Sequence, residues 1–61
     1  MKTEGVDIIG VKVINIIEEN AAAIENMVNG AIKEIHDKEF ILVDVQTTAD
    51  NIFLILGKRH A

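Results

Sequence analysis

The chain changes its hydrophobic period twice. From Ile8 to Ile17 it reads IIGVKVINII, rich in β-branched residues and interrupted only by Gly10, Lys12 and Asn15. Such residues suit a pleated strand, and the pattern predicts one from about Val11 to Ile17, entered through a bend or bulge at Gly10. Val11, Val13, Asn15 and Ile17 are then expected on one face, and Lys12, Ile14 and Ile16 on the other. Both faces are mostly apolar, which predicts cover on both sides. Met1 to Asp7 is polar and is expected to fray.

A helical period follows. In AAAIENMVNGAIKEIH, Ala21, Ile24, Val28, Ala31 and Ile35 recur at helical spacing, and Met27 and Ile32 widen the stripe. Glu25, Asn29, Lys33 and His36 lie away from its centre. Asn20 is the expected N-cap. Glu18 and Glu19 suit the positive end of the helix dipole, and Lys33 and His36 the negative end. Gly30 falls mid-helix, at a cost of about 1 kcal/mol against Ala. Close packing of the helix on a sheet or a second helix is the expected reason; the alternative is a ligand against the backbone.

HDKE reads as a loop and FILVDVQTT as a second strand. Its alternation places Ile41, Val43, Val45 and Thr47 on one face and Phe40, Leu42, Asp44 and Gln46 on the other. ADN reads as a tight turn, because Asp and Asn tolerate left-handed geometry. The third strand, Ile52 to Leu56, sets Ile52, Leu54 and Leu56 against Phe53 and Ile55.

The predicted fold is α+β, a single β-α-β-β unit with a three-stranded sheet and one helix. A right-handed crossover makes the first two strands parallel, and the hairpin returns the third antiparallel. The third strand is the most apolar on both faces and is expected in the centre, giving order 1-3-2. One helix covers one face. Nothing in the chain is left for the other, whose patch exceeds what soluble monomers usually expose. The expected resolution is burial of the second face by oligomerisation: a homo-oligomer, from dimer to tetramer or higher, with sheet packed on sheet.

Composition sharpens this picture. The 61 residues allow one small domain, yet 49% of them are hydrophobic. Chains this short usually need disulfides, a metal or a partner chain. Cysteine is absent, and His36 and His60 are the only histidines, so neither a disulfide nor a classical zinc site is expected. The net charge of −4 argues against DNA or RNA duplex binding, which draws its affinity from a basic excess. No apolar run approaches the roughly 18 residues that cross a membrane, and MKTEGVD lacks a signal-peptide pattern. A cytoplasmic protein with no membrane contact is the expectation.

Catalytic chemistry is scarce. Without Ser or Cys, no Ser-His-Asp or Cys-His arrangement can form. Asp44 reads as a guard on a strand edge, or alternatively a buried acid. Glu18–Glu19 and Asp37–Glu39 read as helix-end and loop charges rather than metal ligands. The glycines are scattered, so there is no phosphate loop. No enzyme activity and no cofactor are expected. The candidate ligand-binding residues are Lys12, Thr47, Thr48, Lys58, Arg59 and His60. Oligomeric symmetry multiplies each, and the planar fork of Arg59 fits phosphate. The alternative for Lys58 to His60 is a charged gatekeeper after an aggregation-prone run.

Ile24-Glu25, Val28-Asn29, Ile32 and Ile41 to Val45 carry a wider pattern. An opening strand ends in acidic residues, an LE..VN..I-like helix and an I.DI-like strand follow, and a terminal apolar strand ends in basic residues. The pattern spans some fifty residues and resembles the short sporulation-associated proteins of the Cse type, found in bacteria and phages. Phage proteins that look like this include anti-CBASS sponges, which sequester cyclic nucleotides without cleaving them. That resemblance implies a small oligomer with a nucleotide pocket between subunits. The β-α-β-β order is also similar to dodecin, although the flavin-stacking Trp of that family has no counterpart here. The functional expectation is a non-enzymatic homo-oligomer that sequesters a small anionic ligand, with a cyclic nucleotide as the leading candidate. The competing expectation is a structural or protein-interaction oligomer without a small-molecule ligand.

Overall fold

A computed structural model describes residues 5–59. The chain forms β1 (Val6–Asn15), α1 (Ala21–Asp37), β2 (Ile41–Thr47) and β3 (Asn51–Arg59). This is the expected α+β fold in β-α-β-β order. The sheet order is β1-β3-β2, and both outer strands run antiparallel to β3. The apolar third strand therefore sits in the centre.

β1 starts earlier than its composition suggests. Val6 and Asp7, expected to fray, pair with Arg59 and Lys58, and the strand ends at Asn15 rather than Ile17. Its register shifts between Ile8 and Gly10, so Ile9 is the extra residue of a bulge beside the expected glycine. Directly opposite residues of an antiparallel pair share a face. Ile14 pairs with Ile52 and Lys12 with Leu54, while Val13 pairs with Phe53 and Val11 with Ile55. The faces of β1 and β3 are thus as their alternation predicts.

β2 departs from simple alternation. Leu42 pairs with Leu56 and Asp44 with Ile55, so Val43 is an additional residue. One added residue exchanges the faces of everything after it. Val45 and Thr47 consequently join Leu42 opposite the Ile52/Leu54/Leu56 row, whereas Asp44 and Gln46 face the same way as Phe53 and Ile55. The expected grouping of Ile41 with Val45 and Thr47, and of Leu42 with Asp44 and Gln46, is overturned.

The helix begins where Asn20 caps it, its side chain accepting a hydrogen bond from Ala23 N at 2.8 Å. At the other end Phe40 N donates to Ile35 O (3.0 Å) and Glu39 N to His36 O (2.9 Å). This is the Schellman closure, and its left-handed residue is Glu39, with φ 63°. Glycine takes that conformation without Cβ strain. Glu39→Gly is therefore expected to raise stability by about 1 kcal/mol, read as a higher chemical-denaturation midpoint.

Ala31 and Ile35 of the helix pack on Ile14, Ile52 and Leu54 to form the buried core. Ile24, Met27 and Val28 pack partly against it, while Ala21 and Ile32 stay exposed, so the buried stripe is narrower than the sequence pattern. Gly30 does not serve close packing within the chain, because a Cβ there meets nothing within 4 Å. Gly30→Ala should accordingly stabilise the fold by about 1 kcal/mol, seen as an increase in Tm.

The hairpin turn is held by Thr48 rather than by left-handed Asp or Asn. Its Oγ1 accepts from Asp50 N and Asn51 N at 3.3 and 3.1 Å. Among the described residues the only non-glycine positive φ angles belong to Glu18 and Glu39.

The helix leaves the second sheet face bare. Ile8, Val11, Val13, Ile41, Phe53 and Ile55 lie there by their pairing. No helix among the described residues is long and apolar enough to cross a membrane.

Candidate functional site

The candidate residues do not converge in one chain. Thr47 and Thr48 stand at the hairpin end of β3, and Lys58 and Arg59 at its far end. Asn51 to Arg59 spans eight steps of about 3.3 Å, roughly 26 Å. Lys12 and Lys58 belong to the helix side, since they pair with Leu54 and Asp7 in the row that contains Ile52 and Leu56. Arg59, one residue later, belongs to the bare face beside Val6. The Thr48 hydroxyl is engaged in its own turn. His60 lies outside the described residues.

A different grouping forms on the helix side. A cleft of about 240 Å³ opens between β1 and the last turn of α1. Ile35, Phe40 and Leu56 line it with apolar surface, and Lys12, Glu34 and Lys38 provide its charges. Glu34 lies between the two lysines: Oε1 is 3.4 Å from Lys12 Nζ, and Oε2 is 3.6 Å from Lys38 Nζ. The Schellman closure places Phe40 beneath Ile35, and the pleat of β1 turns Lys12 toward the helix. Of this group the sequence pattern singles out only Lys12 as a ligand candidate. The Glu34–Lys38 spacing of four, together with the face that Lys12 shares with Leu54, was the available signal.

The Lys12 hydrogen bond and charge, and then the Lys38 charge, hold the Glu34 carboxyl below the ordinary glutamate range. The folded state thus binds the proton more weakly than the unfolded chain. The contribution of this group is present above the unfolded pKa and is lost as pH falls through the lower folded value. Glu34→Gln should flatten that part of the acid limb of a pH–stability curve, with little effect at neutral pH on its slope.

Chemically, the cleft keeps an excess of one positive charge, with two ammonium groups sharing one carboxylate. Its volume falls below the roughly 300 Å³ at which pockets for drug-sized ligands begin. Among the described residues no group of three or more His, Cys, Asp or Glu gathers where it could hold a metal ion. Comparison with known proteins finds no family model, no curated protein and no solved structure that matches this chain.

Proposed function

We propose that the protein is a non-enzymatic homo-oligomeric binding module in which the bare sheet face packs on a second copy. The observation that carries this reading is the uncovered apolar face. Val11 and Val13 are each about half exposed beside Phe53 and Ile55 on the central strand. The intrachain core, by contrast, holds five buried residues among the described ones, a thin interior of the kind that leaves chains of this length marginal. Arg59 ends the central strand on the same face. Packed sheets set its copies near the interface rim, where guanidinium groups suit a phosphate-bearing anion such as a cyclic nucleotide. Lys12, Lys58 and Thr47 belong to the opposite face, so Arg59 is the candidate on which this ligand role rests.

Light scattering at micromolar concentration is expected to give a mass of at least two chains, reduced by Ile55→Glu. A single-chain mass for the unaltered protein would refute the assembly. Calorimetry against cyclic di- and trinucleotides is expected to show binding that Arg59→Ala weakens. Absence of heat with every member, while the oligomer persists, favours the second reading, a purely structural assembly.

A further inference from the structure

We infer that a second copy of this chain also joins the sheet edge to edge at β1, antiparallel, with the two-fold axis between Ile9 and Gly10. This rests on the homo-oligomer reading above but names a different contact. Both outer strands present an edge. They are not equivalent. β2 has seven residues, and its Asp44 carboxylate accepts from Val45 N at 2.8 Å and from Gln46 Nε2 at 2.9 Å. Charged and polar side chains tied along an edge blunt it. β1 has ten residues, and Ile8, Ile9, Val11 and Val13 are 45–52% exposed on it. β1 carries a bulge and Lys12, which guard an edge too, but it is the longer and more apolar of the two edges and so the better template for another strand.

The pattern of β1 is complementary to itself. Asp7 and Lys12 are its only ionisable residues. Their pairing with Lys58 and Leu54 puts both on the helix side, while Val6, Ile8, Val11 and Val13 pair with the row of Arg59, Gly57, Ile55 and Phe53. An antiparallel copy centred between Ile9 and Gly10 sets Asp7 opposite the partner's Lys12, whose ammonium also meets Glu34 of its own chain. It also sets Ile8 opposite the partner's Val11, and Val6 opposite the partner's Val13. Every pair falls on matching faces, which the bulge makes possible: in a regular, unbulged strand of the same sequence, acid and base would stand on opposite sides. A parallel copy would instead set like charges level. Pairing over these eight residues adds about eight backbone hydrogen bonds.

An edge contact also enlarges the face available for packing. Joining two sheets at β1 produces one six-stranded sheet with both helices on the same side and twice the bare face.

The test exploits the charge pattern. Asp7→Lys and Lys12→Asp chains should each self-pair more weakly than the unaltered protein. Mixed in equal amounts, they should associate preferentially, because the new lysine at position 7 meets the new aspartate at position 12. Native mass spectrometry is expected to show mixed pairs well above the statistical one half. A statistical mixture with the oligomer intact overturns the edge contact and leaves face packing standing. A single-chain mass for the unaltered protein overturns both. Amide exchange on the unaltered chain gives a second readout. The β1 amides directed away from β3 are expected to exchange at least tenfold more slowly than their β2 counterparts, and equally fast exchange overturns the proposal.

Discussion

Leu54→Ala is expected to cost about 2–5 kcal/mol, the range for removing a large aliphatic side chain from a packed interior. Leu54 is the most enclosed large side chain of the fold, with 1% of its surface exposed. It stands mid-way along the central strand, paired with Lys12 on one side and Val45 on the other, and it shares the core with Ala31 and Ile35 of the helix. Sheet and helix therefore lose contact through one truncation. In so short a chain each kcal/mol lost lowers Tm by several degrees, so a fall of about 10 °C or more is expected. The comparison must be made at equal protein concentration, since an assembled chain gains stability by mass action. Val45→Ala serves as the contrast. Val45 shares the row of Leu54 but is 45% exposed, and its truncation should cost well under half as much. Equal losses at the two positions would contradict the placement of the core.

Gly57→Ala is the second large effect, expected at about 1–3 kcal/mol. A Cβ at this position would lie 2.6 Å from Val6 Cγ1, 2.7 Å from Val43 Cγ2 and 3.1 Å from Asp7 O. Valine is stiff about χ1, so neither methyl can simply rotate away. The two edge strands lean over the central strand at this point, and only a residue without a side chain fits beneath them. The loss should shrink when Gly57→Ala is combined with Val6→Ala and Val43→Ala, and a thermodynamic cycle over these positions measures the coupling. A full-size loss that the valine truncations leave unchanged would place its origin elsewhere.

Much of the fold was readable because it rests on period. The β-branched run of β1, the three-four spacing of α1 and the two-sided apolar character of β3 each specify an element, and together they specify the strand order. Asn20 announced its helix start chemically. What escaped was carried by no residue type. The bulge of β2 sits at Val43, an ordinary strand residue, and it exchanged the faces of Asp44 through Thr47. Val6 and Asp7 looked like a tail because their partners lie more than fifty residues away. The early glycine of β1 did mark a bulge, although the added residue is its neighbour Ile9. The scatter of the candidate ligand residues could have been foreseen, since a strand that separates Thr48 from Arg59 also holds them far apart. The Lys12–Glu34–Lys38 group could not be found from linear spacing alone, because it needs the crossing of helix over strand.

The two bulges also say where this chain can change its length. Every other residue of β2 keeps its partner if Val43 is deleted, and the strand becomes regular. The same holds in β1 for Ile9. Loss of Val45 or Val13 would instead act like a frameshift, turning each later side chain of that strand to the wrong side of the sheet. Relatives that differ by one residue in an edge strand are therefore expected to differ at these two places, and those lacking the residue at Val43 should more readily carry a side chain where this chain has Gly57.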